Sequence, residues 1–351
     1  MKLKKILIIL LAGVVIFGCS KKIEEKKLKL KYAFAAEDMT NNNAIYSAGI
    51  YKDLIYYVQE YQDEFVIRFV SFDGKEKRKI KISRGKGPGE VMQSLGLKII
   101  NNEIYFADNG MQRITMLDMD GNYIDDMNYD KNTGFIFSFD LFRKNFYYHS
   151  MNMVYFGKID ENGKSHVYKK HHLKTTPEDK EAVDGCVIKI DKENEKIYAS
   201  HIDPPYRIDI YDLEFNKLDE ITYDLKQKII PANWLVIRGH QSVRGDILAS
   251  SMKLTDNYIF TTLNGGRMSR EMGNSLEESK PVILKFDKKE KKCIKKLSFE
   301  KMNNIKGLFS IIGITDKYVV LHLLDISDNF HKLINNDDYK NGGQAILVYE
   351  R

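Results

Sequence analysis

Leu117-Asp118-Met119-Asp120-Gly121-Asn122 is the end of an apolar strand, an Asp and a short polar turn, and the pattern recurs down the chain. It returns as Phe72-Asp73-Gly74-Lys75, Ile159-Asp160-Glu161-Asn162-Gly163-Lys164, Tyr211-Asp212-Leu213-Glu214-Phe215-Asn216-Lys217 and Phe286-Asp287-Lys288-Lys289. Asp, Asn and Gly supply the positive φ angles and local hydrogen bonds that tight hairpins need. A sixth copy stops at Val348-Tyr349-Glu350-Arg351. The intervals from Asp to Asp are 45, 42, 52 and 75 residues, then 63 to Glu350. Strand-rich periods near 40–50 residues describe propeller blades of four strands, the long intervals carrying insertions.

A second hairpin precedes each of these. It reads Ile45–Ile50 then Leu54–Val58, Leu95–Ile100 then Ile104–Ala107, and Phe135–Leu141 then Phe146–His149. It continues as Val187–Ile190 then Ile197–Ser200, Ile247–Leu254 then Tyr258–Leu263, and Phe309–Ile314 then Tyr318–Leu324. The expected fold is therefore all-β: a six-bladed β-propeller of four-stranded antiparallel blades. The sixth blade runs out of chain after Ala345–Tyr349 and lacks an outer strand. Lys27-Leu28-Lys29-Leu30-Lys31-Tyr32-Ala33-Phe34 offers one, with Leu28, Leu30, Tyr32 and Phe34 on one face and lysines on the other. That is the pattern of a half-buried strand with a guarded edge, so the N-terminal strand is expected to join the last blade and close the ring.

Composition agrees with a folded all-β chain. Of 351 residues 43% are hydrophobic, 30% charged and 11% aromatic, and mean hydropathy is −0.40, which excludes a multi-span membrane protein. With 55 basic and 49 acidic residues the net charge of +6 is too balanced to suggest nucleic acid as a partner. Two cysteines, Cys186 and Cys293, fall in expected strands and read as small buried residues.

The first residues are a targeting segment. Lys2, Lys4 and Lys5 precede an apolar run from Ile6 to Phe17, too short to span a bilayer. The run ends Ile16-Phe17-Gly18-Cys19, which resembles the lipobox of bacterial lipoproteins. The resemblance implies cleavage before Cys19 and lipidation of that residue. Residues 1–18 are then a signal peptide, 19–26 a lipidated tether and 27–351 the propeller. Ser20 after the Cys, rather than Asp, leans the expectation towards the outer membrane.

The second repeat also carries a resemblance. Arg84-Gly85-Lys86-Gly87-Pro88-Gly89-Glu90 leads into Ile104-Tyr105-Phe106-Ala107-Asp108-Asn109-Gly110-Met111-Gln112-Arg113-Ile114, then Leu117-Asp118 and Gly121. This looks like an NHL-type blade and is similar to the TolB-like and NHL-like six-bladed propeller lipoproteins of the bacterial envelope. The fourth repeat keeps part of it in Ile197-Tyr198-Ala199-Ser200 and Arg207-Ile208. The resemblance implies a fold more firmly than an activity.

The longest excursions, Ser83–Gln93, His171–Asp184, Leu225–Gly245, Asn264–Lys280 and Asp325–Gln344, fall on the end where second strands lead to third and fourth to first. Long loops on a rigid scaffold carry binding. The candidate residues there are Trp234, Arg238, His240 and Arg244, together with Arg84 and Lys86, whose neighbouring glycine amides are placed to hold an anion, and Arg113 and Arg207 at the starts of third strands. Asp184 and Asp246, each before an innermost strand, are the weak candidates for a calcium site; the sequence calls for no other cofactor. The expected function is a membrane-anchored envelope lipoprotein, monomeric, binding a protein or glycan partner. The enzymatic alternative is a metal-assisted lyase or hydrolase at the channel mouth.

Overall fold

The computed structural model describes residues 23–35, 45–150, 155–170, 186–201, 206–224, 233–237, 240–246, 251–263, 267–269, 275–277, 282–302, 307–325, 330–335 and 343–351. Residues 1–22, Cys19 among them, and Asp184 and Arg238 lie outside them. Among the described residues no helix is long and apolar enough to cross a membrane.

The fold is all-β. Strand β1 is Glu24–Ala35. The first sheet is β2 to β5 (Ile45–Tyr51, Leu54–Glu60, Glu64–Val70, Glu76–Ser83) and the second β6 to β9 (Ser94–Ile100, Glu103–Asp108, Arg113–Asp118, Tyr123–Asn128). The third is β10 to β13 (Ile136–Phe142, Asn145–Ser150, Tyr155–Ile159, Ser165–Lys170) and the fourth β14 to β17 (Cys186–Asp191, Lys196–His201, Arg207–Tyr211, Lys217–Thr222). Each is an antiparallel meander in chain order.

The expected hairpin chemistry recurs atom for atom. The Asp118 carboxylate accepts the Asp120 and Asn122 N–H groups at 2.8 and 2.9 Å, Asp160 those of Asn162 and Lys164 at 2.9 Å, and Asp212 those of Glu214 and Asn216 at 2.9 and 2.8 Å. Gly163 has a φ of 78°, and a Cβ there would lie 2.2 Å from the Asn128 carbonyl oxygen, so this turn also needs glycine for its approach to the preceding sheet.

The chain ends meet as the alternation at residues 27–34 predicts. Strands β26 to β28 (Gly307–Ile314, Tyr318–Asp325, Gly343–Glu350) form a meander whose third strand pairs antiparallel with β1, Lys29 opposite Glu350 and Ala35 opposite Ala345. One expectation is corrected here. β1 starts at Glu24, inside the stretch read as tether, and its first residues pair in parallel with β25 (Lys292–Phe299) of the sheet formed by β20 (Met252–Leu254), β21 (Tyr258–Leu263), β24 (Val282–Asp287) and β25. The two four-stranded groups thereby fuse into one eight-stranded sheet. Leu28, buried with Leu297 and Phe299 and accepting the Glu300 N–H at 3.0 Å, anchors this pairing, and the exposed Glu24–Lys295 and Glu25–Lys296 pairs lie along it.

Apolar clusters join each sheet to the next. Phe65 and Ile67 pack with Ile104 and Phe106, Tyr105 and Ile114 with Phe139 and Phe146, and Tyr147 and Phe156 with Ile188 and Ile197. Ile208 and Ile210 pack with Ile259 and Phe286, and Phe260 and Ile283 with Val319, Leu321 and Leu28. Ile55, Tyr57 and Val70 of the first sheet pack with Val320, Ile346 and Val348 of the last. The first strands β2, β6, β10, β14, β20 and β26 touch in succession, and β26 touches β2. Serines tie them together: Ser47 Oγ donates to Leu97 O at 2.9 Å, and Ser251 Oγ accepts the Ile311 N–H at 2.6 Å.

Candidate functional site

The lead-in loop of the second sheet satisfies itself. The Glu90 carboxylate accepts the Gly87 N–H at 2.8 Å and occupies the space over Gly85, where a Cβ would meet it at 2.0 Å. The anion expected among these glycine amides is therefore the chain's own side chain. Arg84 pairs with Glu60 and stacks over Phe65 at 5.2 Å, while Lys86 is exposed.

Arg113 is not on a binding face. Its residue surface is 6% exposed. The guanidinium donates to Asp126 at 2.8 Å and to the Gly87 and Glu90 carbonyls at 3.0 and 2.7 Å, and lies 3.4 Å from Asp108. Asp108 in turn accepts the Met92 and Gln93 N–H groups at 3.1 Å. The NHL-like signature is thus a structural clamp that fixes loop 84–93 to the strands behind it.

Arg207 occupies the equivalent place in the fourth sheet, 3.2 Å from His201 and 3.8 Å from Asp209. Asp209 is the hub of that group, with His201 at 2.8 Å, Lys217 at 2.9 Å and the Tyr211 hydroxyl at 3.0 Å. Burial opposes its ionisation, but the His201 and Lys217 contacts outweigh it and hold the carboxyl below the usual range.

The segment read as the loop Leu225–Gly245 contains two strands, β18 (Asn233–Ile237) and β19 (His240–Asp246). With β22 (Arg267–Ser269) and β23 (Ser275–Glu277) from the insertion at 264–280 they make a separate four-stranded sheet. Trp234 pairs with Val243, His240 with Ile237 and Arg244 with Asn233. Asp246 is a strand residue opposite Arg267, not the lead into an innermost strand, because the fifth such strand begins only at Met252. Among the described residues no three His, Cys, Asp or Glu side chains gather into a metal-ligand set.

The structure brings together four residues that the sequence reading passed over. Lys98 on β6, Asp140 on β10, Lys189 on β14 and Lys253 on β20 hold one register position, opposite Tyr105, Tyr147, Tyr198 and Phe260 on the adjoining strands. Gly49, opposite Tyr56, and Ile312, within the bulge of β26, complete the set. Lys98 Nζ lies 2.8 Å from Asp140 Oδ1, which also accepts the Leu141 N–H at 3.0 Å, while Oδ2 accepts the Ile190 N–H at 3.1 Å. β10, which carries Asp140, lies between β6 and β14, which carry Lys98 and Lys189. Enclosure and the neighbouring Lys189 push the Lys98 amine down to about 7 against the pull of Asp140; enclosure and Lys98 push Lys253 down to about 8. Lys189 is lowered by enclosure and by Lys253. Burial opposes ionisation of Asp140, but Lys98 and Lys189 hold it well below the usual carboxylate range. The side chain of Lys98 keeps 19% of its surface accessible and that of Asp140 11%, so these groups face a space rather than fill one. A visible signal exists in the sequence: an apolar–charged–apolar triplet, as in Leu97-Lys98-Ile99 and Met252-Lys253-Leu254, just before four of the inner turns.

No family model and no curated protein matches the chain. Solved structures do. A DUF4221 family member from Bacteroides vulgatus superposes with a TM-score of 0.63 at 10% identity, covering 94% of this chain and 99% of that one. A protein of Bacteroides fragilis described as exported gives 0.55 at 12% identity, covering 95% and 97%. A streptogramin B lyase gives 0.49 at 10% identity, covering 90% and 96%, a level that carries no argument. With its four-stranded antiparallel sheets, the chain has a β-propeller fold.

Proposed function

We propose that the protein is a lipid-anchored, six-bladed β-propeller of the bacterial cell envelope that works as a binding module for a protein or glycan. The last-to-first packing of Ile346 and Val348 against Ile55 and Tyr57 supports a closed ring of six blades, β1 serving as the outer strand of the sixth. The observation that carries the reading is where β1 enters. Lys29 pairs with Glu350, beside Arg351, whose N–H donates to Lys317 O in the turn between β26 and β27. The chain therefore joins the ring at the end that bears the short turns. From Cys19 to Glu24 five residue steps reach at most about 18 Å. Lipidation at Cys19 would hold the turn end against the membrane and present the loop end, with the sheet of β18, β19, β22 and β23, away from it.

Palmitate labelling with membrane fractionation tests the anchor, and photo-crosslinking in intact cells tests the face. Cys19→Ser is expected to abolish labelling and release the protein from the membrane. A photoreactive residue at Trp234 is expected to give an adduct that one at Lys289, on the turn end, does not. A membrane-bound, labelled Cys19→Ser protein, or adducts from Lys289 alone, contradicts the reading.

A further inference from the structure

We propose that Lys98, Lys189 and Lys253, arranged around Asp140, bind a doubly charged oxyanion: the phosphate or sulfate group of a ligand that enters between the first strands of the sheets. The inference rests on the placement of four neighbouring inner strands and not on the lipid anchor or the partner.

Three lysines share one carboxylate. Asp140 has both oxygens committed, Oδ1 to Lys98 and the Leu141 N–H, Oδ2 to the Ile190 N–H. Among the described residues neither Lys189 nor Lys253 has a carboxylate within ion-pair distance. A fully protonated cluster carries two excess positive charges, which a dianion matches. Lysine ammonium groups bind such anions as point charges, and enclosure strengthens the attraction over that in water. Of the other inner strands, β2 contributes Ser47 and Gly49 and β26 contributes Ile312, none of them titratable, while the Tyr56 hydroxyl, which lies over Gly49, is pushed up to about 12 by burial and stays protonated throughout. On the second strand of the last sheet, His322 is turned to Gln344 at 2.9 Å and enclosure pushes its ring down to about 4.

The protonation state of the cluster makes binding pH-dependent, and the sign follows from the lysines. With Lys98 down at about 7 and Lys253 at about 8, the empty site loses protons as pH rises through that interval. An anion favours the charged amines, so its uptake draws protons in. Affinity should be high below about pH 7 and fall as the lysines deprotonate.

The test is calorimetric titration of the detergent-solubilised full chain with inorganic phosphate, inorganic sulfate and a sulfated disaccharide, at about pH 6 and about pH 9 and constant ionic strength. The account expects sulfate to bind at the lower pH and about tenfold or more weaker at the higher. Lys98→Met and Lys253→Met should each weaken it by about tenfold or more, while Lys192→Met on an exposed turn leaves it unchanged. Asp140→Asn, which keeps an acceptor for Ile190, should tighten it. Lys98→Met takes the cation from the nearly buried Asp140 and is expected to lower stability, whereas Lys253→Met breaks no ion pair among the described residues, should keep the parent's circular dichroism and urea midpoint, and so keeps the test decisive. Tighter binding of the disaccharide than of sulfate identifies an ester-bearing ligand; the reverse identifies a free anion. Titrations with no heat at either pH, or binding that survives the Lys98→Met/Lys253→Met double change, overturn the proposal.

Discussion

Arg113→Met is expected to lower the unfolding free energy by about 3–5 kcal/mol, read from the midpoint of a urea titration. The guanidinium touches two carboxylates, Asp108 and Asp126, and two carbonyls, those of Gly87 and Glu90. Methionine fills much of the space but leaves the nearly buried Asp108 and Asp126 without their cation, and an uncompensated buried charge is what makes a broken ion pair costly. Loop 84–93 should also become sensitive to protease, since two of its carbonyls lose their donor. Arg143→Met is the control: its pair with Glu195 is 64% exposed on the arginine side, and its loss should cost about 1 kcal/mol or less. Equal costs for the two changes would show that the clamp is not structural and would return Arg113 to the list of binding residues.

Deleting residues 24–35 should abolish cooperative folding, because the loss is comparable to the whole net stability of about 5–15 kcal/mol of an ordinary domain. β1 supplies the outer partner of β28 along Lys29–Ala35 and pairs with β25 along Glu24–Leu28. Leu28 is 1% exposed, in a cluster with Phe299, Val319, Leu321 and Tyr349. Without β1, the continuously apolar Ala345-Ile346-Leu347-Val348-Tyr349 becomes an open sheet edge, which invites pairing with other copies. The deletion variant should therefore aggregate, and a peptide of residues 24–35 added in trans should restore soluble protein by strand addition. A soluble monomer with an unchanged urea midpoint would contradict this role for β1.

What was legible in the sequence was whatever is written locally. The hairpins were readable because an Asp and a Gly a few residues apart determine a turn with no help from the rest of the chain, as at Asp118–Gly121 and Asp160–Gly163. β1 was readable because eight residues alternate, though its reach back to Glu24 depends on Lys295 and Lys296, far along the chain. The site was harder. Arg84, Lys86 and Arg113 drew notice through residue type, yet their roles are decided by Glu60, Glu90, Asp108 and Asp126, and no spacing rule says that Glu90 folds back over Gly85. The strands at Asn233–Ile237 and His240–Asp246 pair with partners supplied by a second insertion, so neither insertion announces a sheet alone. Lys98, Asp140, Lys189 and Lys253 are separated by 42, 49 and 64 residues and meet only when the inner strands are set side by side.

The central claim is that the two ends of the chain zip together and so set the inner strands around one space. Lys29 and Glu350 are exposed register partners across that seam. In a background with Cys19, Cys186 and Cys293 replaced by alanine, Lys29→Cys with Glu350→Cys should form an intramolecular disulfide under mild oxidation, seen as a faster-migrating monomer on a non-reducing gel. Lys29→Cys with Asp219→Cys should not. Absence of the Lys29–Glu350 crosslink, or its appearance only between molecules, would contradict the account.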